Sequence, residues 1–547
     1  MKLRAILASL ILVISTAAAA TAARPDLVVV VSIDQFPHEY LERMQAGFAP
    51  DGMFRRLLDR GAVYTQCHHG HAFTITGPGH SVLLTGTFPC STGIVDNNWL
   101  DRDTGKKIYC VEDDAYPLVG AQGAGISPKN LLTGTVGDVM KFTWPTSRVF
   151  GVAMKDRAAI LMTGHAADAC YWYDAVSGNW ITSKYYRDDL PQFLRVFNES
   201  SAVESYAGQS WNLLLPEDKY VHYYADAAKF ENPGGALGNA FPHKLPDDPK
   251  GKYYDTVSKT PWGNEITLSV AKLLVTDEKL GLGPTPDFLA INLSTNDFIG
   301  HAYGPRSLEV QDCTFRTDRQ LGEFAKFIDE HLGDRSWVFG LSSDHGVAPV
   351  PEDAQQMRLP GKRNPIKDVL VLRNQIEAKL RQTLGTPEKE FIQSIDYGEV
   401  FLRRDLPQLQ GDNYALAQRL VRDALLRDPA VAVAFTREEL LSGMAPGGLA
   451  LQFQRTLHPE RSGDVLFATQ PYTIGGSTPA THGSPWRYDS HVPLALWGKG
   501  IKPGRYTRGV TPAALGPTIS RLLEIELPPA TAVDPLHEVL NTFTVAK

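Results

Sequence analysis

Residues 26–34 read Asp26-Leu27-Val28-Val29-Val30-Val31-Ser32-Ile33-Asp34, an apolar run that ends abruptly on a carboxylate. Continuous rather than alternating hydrophobicity marks a strand covered on both faces, as in a parallel sheet flanked by helices. Three further runs share this form. Val149 to Met154 (VFGVAM) runs into Lys155, Asp287 to Leu293 (DFLAINL) leads to Asp297, and Trp337 to Leu341 (WVFGL) leads to Asp344-His345. A fifth run, His491 to Trp497 (HVPLALW), closes the core, and Leu308 to Leu332 is one of the intervening helices. The pattern predicts an α/β fold, an α/β/α sandwich with a central, mostly parallel sheet. In such sheets ligands gather beyond the carboxyl ends of the strands, and all four runs place their polar residues there.

Two stretches of different character interrupt the pattern. Ser177 to Trp262 is rich in Trp, Tyr, Pro and Asp with little periodicity and reads as a cap over the site; Pro349 to Ile474 begins with a Pro-rich loop, then shows helical segments such as Tyr414 to Arg427, and reads as an appended subdomain. Gly120 to Gly125 follows no strand of the dinucleotide-binding type and reads as a loop.

The start, Met1-Lys2-Leu3-Arg4, an apolar stretch from Ala5 to Ile14 and the small residues Ala17 to Ala23, predicts a secretory signal peptide over residues 1–23, cleaved near Ala22 or Ala23. The formal charge of −7, near −9 once Lys2 and Arg4 are removed, leaves no basic excess for a nucleic-acid backbone. No later stretch is long and apolar enough to cross a bilayer, so an exported, soluble chain, read as a monomer, is expected. The five cysteines include no C-x-x-C pair, so any metal must be held by His and Asp.

Candidate ligands stand at the predicted strand ends. Asp297 and His301 in STNDFIGHAYG are four apart, so one helical turn would aim carboxylate and imidazole at one point; by itself such a pair also suits a surface contact. Asp344-His345 in SSDHG can both reach one ligand only if the backbone turns there. Asp34 ends a buried strand, where an unpaired carboxylate costs several kcal/mol, although it could instead cap the next helix. His482, in THGSPWRYDSH, completes the set or is a loop histidine. Three aspartates and three histidines suit two zinc-like ions, and the remaining positive charge calls for a deprotonated alcohol. Thr76 in TITGPGHS, at the start of a predicted helix, is that alcohol or else an N-cap, the reading the segment alone favours.

These motifs together resemble the alkaline phosphatase superfamily, in its nucleotide pyrophosphatase/phosphodiesterase-related branch with the PafA-type exported alkaline phosphatases. The resemblance rests on VSIDQF, TITGPGHSVLLTG, GIVDNNW, MKDRAA, STNDFIGHAYGP, SSDHG and THGSPW, in order from residue 31 to 486. It implies that Asp297, His301 and His482 hold one Zn²⁺ and Asp34, Asp344 and His345 the other, with Thr76 bridging toward the second; His491 in SHVPL is the rival to His482. It further implies in-line transfer through a phosphothreonine, with metals about 4 Å apart neutralising the entering and departing oxygens. Lys155 and Arg157, two apart and facing one side if extended, and the amide of Asn97 would meet the other phosphate oxygens, where K-D-R alone is usually a solvated cluster. His68 and His69 carry no assigned role.

A phosphate monoester rewards Lys155 and Arg157, whereas the extra organic group of a diester would leave them unpaired. The expected activity is therefore an alkaline phosphatase acting on nucleotides, sugar phosphates or aryl phosphates, with a phosphodiesterase or nucleotide pyrophosphatase on the same frame as the alternative. A sulfatase would need a Cys or Ser precursor in C-x-P-x-R where this chain has Thr76-Gly77-Pro78-Gly79-His80, a fold-sharing mutase would not be exported, and a metal or phosphate scavenger has no use for Thr76 beside six ligands.

Overall fold

The opening apolar run lies at the centre of a ten-stranded sheet. In this computed structural model, which describes residues 24–541 apart from 235, 365, 397, 446 and 477, the sheet strands are β1 (Leu27–Ile33), β2 (Ala62–Tyr64), β3 (Leu118–Val119), β4 (Val149–Ala153), β5 (Ala169–Tyr173), β6 (Trp180–Ser183), β7 (Asp287–Leu293), β8 (Trp337–Ser342), β9 (Leu494–Gly498) and β10 (Gly504–Tyr506). The expected signal segment lies outside the described residues. Five helices bear on the argument: α1 (Thr76–Leu83), α2 (Asp156–Thr163), α3 (Thr295–Tyr303), α4 (Leu308–Leu332) and α5 (Leu515–Leu523).

The strand order is β10-β2-β9-β8-β1-β7-β4-β5-β6-β3. The central strands β8, β1, β7, β4 and β5 are all parallel, so their carboxyl ends share one edge. Every residue of β1 is buried because its two faces serve two cores. Val29, Val31 and Ile33 pack with Leu321, Phe324 and Ile328 of α4, while Val28 and Val30 pack with Leu515, Ile519 and Leu523 of α5. β9 is antiparallel to β8, with Ala495 opposite Leu341. That direction brings the loop before β9, which contains His482, to the same edge as Asp344.

Residues 177–262 begin with β6, which belongs to the sheet rather than to an insertion. Beyond it, Leu194, Trp211, Tyr220, Leu245 and Tyr253 join the main core. Polar contacts tie this stretch to α3 and α4: the Tyr224 hydroxyl donates to Tyr303 O at 3.0 Å, Asn232 N to Ala302 O at 2.8 Å, and His243 Nε2 lies 3.0 Å from Glu309.

Within 349–474, strands Ile392–Asp396, Glu399–Leu402, Val431–Thr436 and Val465–Thr469 form a separate antiparallel sheet, with the last strand between the second and third. Val400, Leu402, Val421 and Leu425 build its core with the helix Asp412–Leu425. A second apolar cluster joins Phe435, Phe453 and Leu466 to Ala72, Phe73 and Ile75, the residues leading into α1. All five cysteines are free.

Candidate active site

Thr76 is the first residue of α1; Ile75 occupies the cap position and no side chain caps the helix. The Thr76 hydroxyl therefore has no capping duty, and it lies 3.5 Å from His345 Nε2. Asn97 Oδ1 accepts from Gly77 N at 2.7 Å, occupying one of the free amides of the first turn. Among the described residues, its Nδ2 has no partner. α1 reaches the strand edge because Gly79 has no side chain: a Cβ there would collide with the carbonyl of Asp344.

The three aspartates converge below Thr76. Asp34 directly follows β1, Asp344 and His345 follow β8, and all three are fully buried. Asp297 and His301 stand one turn apart on α3 with His301 Nε2 3.1 Å from Asp297 Oδ1, and His482 Nε2 is 3.7 Å from the same oxygen. His345 Nε2 lies 3.2 Å from Asp344 Oδ2 and 3.6 Å from Asp34 Oδ1, and its ring stacks on His482 with centroids 3.4 Å apart. The groups form one continuous cluster rather than two isolated triads: ligand atoms of Asp297, His345 and His482 lie within 4.8 Å of one another, as do those of Asp34, His80 and Asp344.

Hydrogen bonding specifies what this cluster can hold. Each candidate imidazole meets a backbone carbonyl through Nδ1: His345 with Gly346 O at 2.9 Å, His301 with Ala480 O at 2.9 Å and His482 with Thr74 O at 2.8 Å. A carbonyl can only accept, so Nδ1 carries a proton and Nε2 is the nitrogen aimed inward, the one a divalent cation would bind in place of a proton, as in a metal-ligating histidine. Among the described residues, the buried Asp34 Oδ1 and Asp344 Oδ2 have no hydrogen-bond partner. An unmet carboxylate oxygen at such depth costs several kcal/mol, and a divalent cation is the partner that imidazole and carboxylate donors suit.

Electrostatics follow from the same crowding of charge. Burial and the neighbouring Asp344 push the Asp34 carboxyl up to about 8. Burial alone would lower His345, but Asp344 and Asp34 overcome it and hold that imidazole up at about 9. Burial opposes ionisation of Asp344 and Asp297 too, yet His345 keeps the first, and Lys155 the second, well below the usual carboxylate range.

The Lys155 ammonium bridges Asp34 Oδ2 at 2.9 Å and Asp297 Oδ2 at 2.6 Å. Arg157 departs from the expected extended pairing, because Lys155 is the last extended residue and Arg157 lies in the first turn of α2. It is placed instead by Tyr109, whose hydroxyl donates to Asp156 Oδ1 at 2.5 Å and accepts from Arg157 Nη1 at 3.2 Å.

His491 stands apart from the cluster, its ring stacked between His38 and His68 at 4.8 and 4.5 Å and its Nε2 3.0 Å from Thr65 O. His69 Nε2 meets Ser343 O at 3.0 Å. Sequence reasoning missed His80 and Gln35. His80 Nδ1 donates to Thr76 O at 2.9 Å, and its Nε2 accepts from Asn292 Nδ2 at 3.0 Å, so neither nitrogen is free for a metal and the ring instead fixes the backbone of Thr76. Its position four after Thr76 on a helix was the available signal.

The profile of the type I phosphodiesterase / nucleotide pyrophosphatase family matches residues 28–381. A "Calcium-transporting ATPase" from Myroides odoratus is 33% identical over 95% of this chain and 95% of its own, and "Alkaline phosphatase PhoV" from Synechococcus elongatus is 34% identical over 93% and 92%. Among the described residues, no helix is long and apolar enough to cross a membrane. The crystal structure of alkaline phosphatase PafA superposes with a TM-score of 0.87 at 30% identity, over 95% of this chain and 99% of that one.

Proposed function

The chain belongs to the type I phosphodiesterase / nucleotide pyrophosphatase family, alongside its PafA-like alkaline phosphatases, and we propose that it is an exported two-zinc phosphatase that hydrolyses small phosphate monoesters through a phosphothreonine. The observation that carries this reading is the set of three imidazoles, each tied through Nδ1 to a carbonyl and sharing one space with three carboxylates beside the Thr76 hydroxyl. Asp297, His301 and His482 would hold one ion and Asp34, Asp344 and His345 the other, supplying Lewis-acid neutralisation of the entering and departing oxygens when bound.

This chain's own residues do the rest. Thr76, at the amino end of α1, is where free amides and the helix dipole favour an alkoxide. Its Oγ attacks phosphorus, the ester oxygen departs as the alcohol, and water then cleaves the phosphothreonine to return Thr76 and release phosphate. Lys155, Arg157 and the Asn97 amide meet the nonbridging oxygens, where charge remains in the transition state. Nucleotides, sugar phosphates and aryl phosphates fit this chemistry. The acidic balance of the chain does not suit nucleic acid.

A diesterase is the second reading, and one observation favours it: the Lys155 ammonium is engaged by Asp34 and Asp297. Rates with para-nitrophenyl phosphate and its bis-aryl diester, with and without chelator, decide between them. Zinc-dependent preference for the monoester, lost in Lys155→Ala/Arg157→Ala, is the expected result. Equal loss on both substrates would overturn the monoester assignment, and chelator-resistant turnover would overturn the zinc reading.

A further inference from the structure

Gln35 sits between the two halves of the cluster in a conformation that needs explaining. It follows Asp34 at the end of β1, is 1% exposed, and has a φ of +54°, a left-handed conformation uncommon for a residue with a side chain. Had the strand simply continued, Asp34 and Gln35 would point to opposite faces. The left-handed turn lets both serve the same cavity. From there the Gln35 backbone N donates to Asp344 Oδ1 at 3.2 Å, and its side-chain Nε2 donates to Asp297 Oδ1 at 2.6 Å. One residue thus joins a carboxylate of each half. The facing wall of α3 is shaped to admit it, since a Cβ on Gly300 would collide with Gln35 Oε1.

We propose that Gln35 is a positioning residue that sets the Asp297 carboxylate against the Asp34/Asp344 half, and so fixes how far apart the two ions are held. The proposal rests on the two-metal reading above. A neutral amide suits this role, because it orients a carboxylate as a donor without competing for the cation as an ammonium would, and without adding charge as a carboxylate would. Hydrogen-bond partners of metal ligands commonly contribute about 10–100-fold to metal affinity.

Full-length Gln35→Gly, Gly300→Ala and the double variant test this, with zinc affinity measured by chelator competition and the visible spectrum of the Co²⁺-loaded protein as readouts. Gln35→Gly suits the left-handed backbone and keeps the donor to Asp344, so one zinc should bind as in the wild type and the other about 10–100-fold more weakly. Gly300→Ala should reproduce the loss by displacing the amide, with the same change in the Co²⁺ spectrum. In the double variant the alanine meets no side chain, so it should bind zinc no more weakly than Gln35→Gly. Wild-type affinity for both ions in Gln35→Gly, or additive losses in the double variant, would overturn the role of Gln35 while leaving the two-metal reading intact. A wild-type chain that binds no zinc would sink both.

Discussion

The two halves of the candidate metal site are built differently. Asp34, Asp344 and His345 are fully buried at the ends of two adjacent strands, whereas His301 and His482 keep 28% and 10% of their side-chain surface exposed and stand on a helix and a loop. The buried half shares its space with Thr76, and the open half meets solvent. That division fits an in-line displacement, in which the nucleophile must be held rigidly and the leaving group must get out.

Ligand removal should separate the two halves most strongly. His345→Ala should abolish one zinc and lower monoester turnover by about 10³-fold, since a metal supplies several kcal/mol of charge stabilisation. The sealed surroundings should prevent added imidazole from restoring it. His301→Ala should lose on the order of 10²-fold and regain about tenfold of that with imidazole, because its place opens to solvent. Zinc content and turnover measured with and without imidazole check both, and equal rescue of the two variants would contradict the division.

A third outcome tests what braces the buried half. The loop before α1 packs on the 349–474 region through Phe73 and Ile75, and at the same joint the buried Glu399 accepts from Gly463 N at 3.1 Å. Burial, aided by Asp96, pushes its carboxyl from 4.5 up to about 8. A group whose proton is held more tightly in the folded state contributes stability that is complete below pH 4.5 and lost as pH rises through 8. Glu399→Gln carries no such proton, so its melting temperature should gain about 2–4 °C on the wild type between pH 5 and pH 9. Parallel pH profiles of the two proteins would refute this account of the joint.

The fold was legible because strands buried on both faces leave continuous apolar runs, and the four that end in polar residues are β1, β4, β7 and β8. Of the candidate ligands, Asp34, Asp297, Asp344 and His345 were legible because each stands just beyond such a run and His301 because it follows Asp297 by one helical turn, whereas the loop of His482 reaches the edge only because β9 runs antiparallel. Gln35 left no comparable mark, and His80 only its place four after Thr76. Gln35 matters through a left-handed backbone and a bond to a residue over two hundred positions away, and His80 through its ring's bonds to Thr76 O and to the distant Asn292; neither long-range bond has a periodicity. The aromatic stretch after Ser177 misled at its start because a short antiparallel strand carries too few residues to show alternation.

Arg157 gives the smallest expected effect, and a more discriminating one than its size suggests. The extended pairing with Lys155 would have made the two cations equivalent, but the structure gives them different supports: Lys155 is held by two carboxylates of the metal cluster, Arg157 by a phenol outside it. Tyr109→Phe removes that support together with the bond that the same hydroxyl donates to Asp156. Of the two bonds lost, the one to the Arg157 guanidinium bears on the phosphate; partly replaced by water at a half-buried site, it is worth about 0.5–1 kcal/mol, so the KM for a monoester should rise about two- to fivefold with kcat and zinc content little changed. If Arg157 meets a phosphate oxygen that the diester lacks, the diester KM should not move. A matching rise for both esters would mean that Tyr109 supports the site as a whole rather than the one cation that distinguishes a dianion from a monoanion.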